Sequence, residues 1–113
     1  MASQNAKWKE VLANYANKIN LFNDGDKIID GWVTAHLAPG HTPGHTVYES
    51  GSCLFIGDLI HAQDLQLPYP DFCARYDNDP ALAVKSRKHF LTPPCLLVCG
   101  AHCHEHFIQL SEE

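Results

Sequence analysis

Two stretches of the chain carry apolar residues at helical spacing. In residues 5–19 such side chains recur every three or four positions, with lysine and glutamate on the other side, which predicts an amphipathic helix. Its apolar positions are Trp8, Val11, Leu12, Tyr15 and Ile19. A second helix is predicted to begin at Pro80, with Asp79 as its N-cap, and to end near Leu91 because Pro93 and Pro94 follow. Its inward-facing candidates are Leu82, Val84, Phe90 and Leu91.

The β-prone runs of the sequence predict a small sheet. A short strand that runs into a turn is predicted within residues 27–31, and further strands are predicted at residues 32–37, 46–49, 53–56 and 96–99. The third and fourth strands flank Ser50-Gly51-Ser52, a three-residue turn with glycine where a positive φ is easiest, so we expect an antiparallel hairpin. The last strand, Leu96-Leu97-Val98-Cys99, is continuously apolar and is therefore predicted to be buried.

Two longer segments are predicted to be loops. Residues 38–45 contain two prolines and two glycines, which interrupt the hydrogen bonding of helices and sheets, so this segment must be a shaped loop. Residues 59–78 contain further prolines, show no clear period and are predicted to wrap the surface. Because 113 residues provide room for one core, we expect residues 1–113 to form a single α/β domain.

Composition and charge narrow the possible partners. A net charge of -5, with no basic cluster beyond Lys85-Ser86-Arg87-Lys88, predicts no binding to nucleic acid or to an anionic membrane. No window approaches the roughly 18 apolar residues of a spanning helix and no export signal opens the sequence, so we expect a cytoplasmic protein. The odd number of cysteines, five, favours free thiols, with Cys95 and Cys99 buried and Cys73 exposed.

Histidine is the unusual residue type, with eight copies, and several of them follow predicted strands. His41 and His45 lie in the glycine–proline loop, Asp58 follows the hairpin, and His102 follows the last strand. Imidazole nitrogens and carboxylate oxygens are ligands that zinc prefers, and strand ends hold such ligands in fixed positions. The pattern therefore predicts a metal site built from strand ends.

Three motifs resemble the second half of a metallo-β-lactamase-fold hydrolase. They are Ala38-Pro39-Gly40-His41-Thr42-Pro43-Gly44-His45-Thr46, Leu54-Phe55-Ile56-Gly57-Asp58 and Val98-Cys99-Gly100-Ala101-His102. The likeness is nearest to the branch of methyl parathion hydrolases and quorum-quenching lactonases. It implies that His41, Asp58 and His102 are ligands of zinc or another divalent transition metal, and that Asp58 is also catalytic because it bridges two metals. It implies half of an αββα sandwich, with a mostly antiparallel or mixed sheet and flanking helices.

The resemblance also indicates what this sequence lacks. Such hydrolases supply four more ligands from an upstream His-x-His-x-Asp-His motif, whereas residues 1–40 contain a single histidine, His36. The chain therefore resembles a truncated, C-terminal half with a partial metal site. A complete site activates water for attack on an ester, lactone, amide or phosphotriester. We expect the isolated chain to be a weak hydrolase or an inactive one.

A simpler role stays open for each candidate ligand. His41 could be a loop histidine that only hydrogen-bonds the backbone, and Asp58 could only form a turn. His45 is expected to orient a ligand from outside the coordination sphere, and it is a weaker candidate for a ligand itself. His61 is expected to be a loop residue and not a ligand.

The segment from Cys99 to His106 is dense in metal-binding side chains. If it is extended, His102, His104 and His106 share one face and could bind zinc, nickel or copper. A polar strand with alternating faces and no metal is an equal alternative. His104 and His106 are therefore weaker ligand candidates than His102.

Two functions stay open at this point. The first is a metal-dependent hydrolase of a small-molecule substrate, either as a segment of a longer chain or as a half that pairs with a second copy or a complementary half-domain. The second is a non-catalytic binding or oligomerisation module with at most a structural metal. A metal with an open coordination position near a pocket would favour the first function.

Overall fold

The computed structural model describes residues 2–92 and 97–110. The helices are α1 (Ala2–Asn14), α2 (Gln63–Gln66) and α3 (Pro80–Phe90), with a 3-10 turn at Ala16–Lys18. The strands are β1 (Lys27–Ile28), β2 (Val33–Leu37), β3 (Thr46–Ser50), β4 (Cys53–Gly57) and β5 (Leu97–Gly100). Within the described ranges, no helix is long and apolar enough to cross a membrane. The predictions for Pro93, Pro94, Cys95 and Leu96 lie outside the described residues.

The five strands form one sheet in sequence order, and this confirms the predicted mixed α/β fold. Strands β1 to β4 pair antiparallel, whereas β4 and β5 pair parallel. Parallel neighbours need a long crossover, which here contains α2 and α3. The hairpin between β3 and β4 is tighter than predicted, because Ser50 pairs with Cys53 and leaves only Gly51, at φ 56°, and Ser52 in the loop.

One face of the sheet forms the core. The buried cluster contains Ala38, Val47, Leu54, Ile56, Leu59, Ile60, Val98 and Ile108. Helix α3 begins as predicted, with the Asp79 side chain accepting a hydrogen bond from the backbone N–H of Leu82. Its buried residues are Ala83, Ser86 and Arg87, which the apolar pattern did not identify.

The close packing of α3 against the 38–45 loop depends on a glycine in that loop. A Cβ on Gly40 would overlap the backbone of Ala83, and Gly40 has a φ of +140°, a region that other residues rarely adopt. The backbone N–H of Asp79 donates to the carbonyl of Gly40 at 2.8 Å, and the Ser86 hydroxyl donates to the carbonyl of Pro39 at 2.7 Å. The loop and the helix are therefore one packed unit.

The second face of the sheet keeps apolar side chains exposed. Leu37, Phe55 and Leu97 are 44%, 40% and 38% exposed, and strand pairing places all three on the face opposite to the core. Helix α1 is present, but the prediction of one helix over residues 5–19 was too long, because the α-helix ends at Asn14. Its predicted apolar face is not buried, since Trp8 is 66% exposed and its apolar neighbours are also exposed.

The prediction that residues 59–78 wrap the surface was only partly right. Leu59 and Ile60 are 4% and 0% exposed and belong to the core. Gln66, in α2, is 3% exposed, and its side-chain oxygen accepts hydrogen bonds from the backbone N–H groups of residues 61 and 62. A buried glutamine therefore shapes this segment, which has no hydrophobic period that a sequence pattern could detect.

Candidate metal centre

Three chain segments bring the predicted ligands to one end of the sheet. His41 lies in the loop after β2, Asp58 directly follows β4, and His102 lies two residues after β5. Because β4 and β5 are parallel, their carboxyl ends meet at the same edge. The backbone N–H of Ala101 donates to the carbonyl of Gly57 at 2.9 Å, which ties the two strand ends together.

The Asp58 carboxylate lies between two imidazoles. Its Oδ2 is 3.3 Å from Nε2 of His41, and its Oδ1 is 3.0 Å from Nε2 of His102. The side chain of His41 is 19% exposed and that of His102 is 50% exposed. The three residues predicted as ligands therefore lie together, with the carboxylate in the centre.

A buried aspartate that the sequence did not reveal orients His41. Oδ1 of Asp77 lies 3.0 Å from Nδ1 of His41, and the Asp77 side chain is 1% exposed. A carboxylate accepts hydrogen bonds, so Nδ1 of His41 donates to Asp77 and the ring is held with Nε2 facing Asp58. Asp77 also accepts from the backbone N–H of Ala74 at 3.2 Å and lies 3.9 Å from a guanidinium nitrogen of Arg87.

His45 supports Asp58 through the backbone. Its Nε2 accepts a hydrogen bond from the backbone N–H of Asp58 at 3.0 Å, and its Nδ1 donates to the carbonyl of Ala38 at 3.1 Å. Both ring nitrogens therefore have partners within the protein. This arrangement favours the interpretation that His45 positions the ligand Asp58 over the interpretation that it is a ligand itself.

His61, which was expected to be an ordinary loop residue, lies inside the cluster. Its ring centre is 4.7 Å from that of His41 and 4.9 Å from that of His102. His41, Asp58 and His61 each offer one ligand atom, and these atoms lie within 4.8 Å of one another. Burial, followed by the charges of His41 and His102, lowers the pKa of His61, so its ring is neutral near pH 7. Its place four residues after Gly57 gave no signal, because the turn after β4 decides where it lies.

The histidines of the tail separate from one another. Residues 101–107 form turns and bends, so the condition of an extended segment, on which a shared face for His102, His104 and His106 depended, is not met. The Nε2 atom of His104 lies 3.0 Å from Oδ1 of Asp64, and this hydrogen bond raises the pKa of His104. His106 is exposed. Thus His102 faces the Asp58 carboxylate while His104 faces the Asp64 carboxylate.

The donor set fits a divalent transition metal. It consists of imidazole nitrogens around one carboxylate. Zinc accepts such nitrogen ligands, whereas magnesium and calcium prefer oxygen ligands. The Nδ1 atom of His61 is buried and has no hydrogen-bond partner among the described residues. A cation among these side chains would supply that partner.

The described cysteines give no sign of a disulfide framework. Cys73, Cys99 and Cys103 are free thiols, and Cys73 is exposed as predicted. Cys99 is only partly buried, in contrast to the expected full burial. Burial raises the pKa of the Cys103 thiol, with Cys99 as a further cause.

Comparison with known proteins identifies the family of this chain. The sequence profile of the metallo-beta-lactamase superfamily matches residues 7–102. The chain is similar to the solved structure of AidC, described as a dizinc quorum-quenching lactonase in complex with a product N-hexnoyl-L-homoserine. The two are 29% identical with a TM-score of 0.73, over 90% of this chain and 41% of that chain.

Two further solved structures are similar. The hydrolase AbOPH, described as a member of the beta lactamase superfamily, is 29% identical with a TM-score of 0.77, over 89% of this chain and 38% of that chain. A probable metal-dependent hydrolase from Staphylococcus aureus is 19% identical with a TM-score of 0.70, over 88% and 38% of the two chains, and shows the fold alone. The chain thus spans about two fifths of the length of these structures. No curated protein matches it.

Proposed function

The chain belongs to the metallo-beta-lactamase superfamily, and on this premise we propose that it is part of a metal-dependent hydrolase of ester, lactone or phosphotriester bonds. The observation that carries the proposal is the Asp58 carboxylate, whose two oxygens face His41 at 3.3 Å and His102 at 3.0 Å. A carboxylate with an imidazole on each oxygen is suited to hold cations on both sides. The 29% identity to a dizinc lactonase supports this choice of chemistry.

The proposed metal ligands are His41, Asp58 and His102, and the metal is zinc or another divalent transition metal. When bound, such a metal supplies Lewis acidity that activates water near neutral pH and polarises a carbonyl or phosphoryl oxygen. The protein's own contribution is orientation. Asp77 holds His41 with Nε2 toward the site, and His45 fixes the backbone of Asp58.

The covered length limits what the chain does alone. The hydrolase neighbours are more than twice as long as the matched region, and residues 1–40 of this chain contain one histidine. We therefore propose that full activity requires a complementary half-domain or a second copy, and that the isolated chain is weak or inactive. The exposed apolar face with Leu37, Phe55 and Leu97 is the surface that such a half would cover.

The same surface favours a second candidate function. Apolar side chains exposed on a sheet face mark an interaction site, so the chain could act as a non-catalytic oligomerisation module with at most a structural metal. Oligomeric state and metal content distinguish the two functions. The hydrolase requires a bound metal, whereas the module requires only the assembly.

The first experiment is native mass spectrometry of the untagged protein, with elemental analysis of the same sample. We expect a stoichiometric divalent metal in a defined oligomer, lost in His41→Ala or in His102→Ala but kept in the exposed-site control His106→Ala. That result would justify esterase, lactonase and phosphotriesterase assays. A metal-free oligomer that stays metal-free after incubation with zinc would refute the hydrolase and leave the module.

A further inference from the structure

One buried nitrogen in the described structure has no partner. Among described side-chain nitrogen and oxygen atoms that are fully buried, only Nδ1 of His61 makes no hydrogen bond. Folded proteins pair nearly all such atoms, and each exception calls for an explanation. The neighbouring polar side chains of His61 are satisfied, because Gln66 accepts from two backbone N–H groups and donates to the carbonyl of Phe72.

The surroundings of His61 are those of a metal ligand. Its ring centre lies 4.7 Å from that of His41 and 4.9 Å from that of His102. Ligand atoms of a tetrahedral zinc site lie about 3.4 Å apart, given zinc–ligand bonds of about 2.1 Å. His41 and Asp58 already meet this spacing at 3.3 Å, and the His61 ligand atom is within 4.8 Å of both.

We propose that His61 is a metal ligand through Nδ1, so that His41, Asp58 and His61 together hold one ion. This inference rests on the proposed function, since it assumes that the site binds metal. Three protein ligands are enough for a zinc site with one open position. The chain would then hold a metal with ligands drawn only from its own described residues, and His102 would stay on the other oxygen of Asp58.

The alternative is that His61 positions another group and that water satisfies its Nδ1. The two roles predict different losses of metal affinity and different cobalt(II) spectra when His61 is replaced. Loss of an outer partner of a ligand lowers metal affinity by roughly 10- to 100-fold, whereas loss of a ligand removes a donor and changes the coordination of the ion. Cobalt(II) in place of zinc reports that change, because its visible absorption depends on the number and type of donors.

The test compares the wild-type protein with His61→Ala, His41→Ala and the control His89→Ala, whose histidine is exposed on α3. Zinc affinity is measured by competition with a chromogenic chelator, and cobalt(II) spectra are recorded for each protein. We expect His61→Ala to lower zinc affinity by more than about 100-fold and to alter the cobalt(II) spectrum, whereas His89→Ala changes neither. Thermal unfolding of the metal-free proteins checks that each variant is folded.

The outcomes separate this inference from the proposed function. If His41→Ala abolishes binding while His61→Ala binds zinc with a loss below 100-fold or leaves the cobalt(II) spectrum unchanged, His61 is not a ligand and only the inference falls. If the wild-type chain binds no zinc, both the inference and the proposed metal site are refuted.

Discussion

Replacing Arg87 by methionine should test how much the buried contacts of Arg87 stabilise the fold around the site. Arg87 is 1% exposed, and its guanidinium donates to the carbonyls of Leu59 at 3.0 Å, Pro70 at 2.7 Å and Phe72 at 2.9 Å. It also lies 3.9 Å from the buried Asp77 carboxylate. Methionine keeps much of the aliphatic volume but removes every one of these donors.

The expected loss of stability follows from these contacts. Hydrogen bonds from a charged donor contribute roughly 1.5–3 kcal/mol each, but the substitution also removes the cost of burying the guanidinium. Breaking a buried ion pair by removal of one partner costs about 3–5 kcal/mol, and we adopt this range. For a chain of this size that loss lowers Tm by roughly 12–20 °C.

The measurement is urea unfolding of the metal-free protein, followed by far-ultraviolet circular dichroism. Tryptophan fluorescence is a poor probe here, since Trp8 and Trp32 are 66% and 76% exposed when folded. Lys88→Met is the matched control, because Lys88 is the next residue on α3 and pairs with Asp71 on the surface, at 2.6 Å. An exposed pair is worth about 0–1 kcal/mol. If Arg87→Met loses no more stability than Lys88→Met, the reasoning about a buried network is wrong.

Four further predictions concern the site and its supports. Asp77→Asn should weaken zinc binding by roughly 10- to 100-fold in chelator competition, because His41 loses its carboxylate partner. The exposed control Asp71→Asn should leave the zinc affinity unchanged, and equal zinc affinities of the two variants would refute the prediction. Gly40→Ala should cost about 1–3 kcal/mol in urea unfolding, since its Cβ would overlap Ala83, whereas a Cβ on Gly44 meets nothing within 4 Å and Gly44→Ala should be neutral. The pKa of His61 is lowered from 6.5, so the metal-free fold favours the neutral ring. The contribution of His61 to the free energy of unfolding is therefore present above pH 6.5 and is lost as the pH falls through the pKa of the folded state. His61→Ala should flatten the acid side of the curve of stability against pH. The partly buried Cys103 thiol, with its raised pKa, should react with a thiol reagent more slowly than the exposed Cys73, and equal rates would contradict this difference in exposure.

Local chemistry explains what the sequence could predict. The prolines and glycines of residues 38–45 exclude regular structure wherever they occur, and the Asp79-Pro80 pair begins a helix without help from distant residues. The β-prone runs that precede Asp58 and His102 also predict, from local sequence alone, that both residues follow the ends of strands. For these reasons the loop, the hairpin and the start of α3 agree with the structure.

Long-range packing explains what the sequence could not predict. Asp77 acts on His41, 36 positions away, and Arg87 acts on Leu59, 28 positions away. A periodic pattern treats both residues as polar and therefore assigns them to the surface. Their burial depends on the path of residues 59–78 between β4 and α3, which hydrophobic spacing does not encode.

The exposed helix α1 shows a different limit. Its apolar spacing correctly indicated a helix, but spacing says only that a face is apolar, not that something covers it. Trp8 and Leu12 are 66% and 53% exposed. The same holds for the second face of the sheet, where strand alternation predicts the orientation of Phe55 but not whether its side chain is covered, and it is 40% exposed.

The two supports of the site are independent of these exposed surfaces. Arg87 and Asp77 hold His41 from the side of α3, and His45 holds the backbone of Asp58 from the loop before β3. The orientation of His41 and Asp58 therefore depends on contacts within this chain.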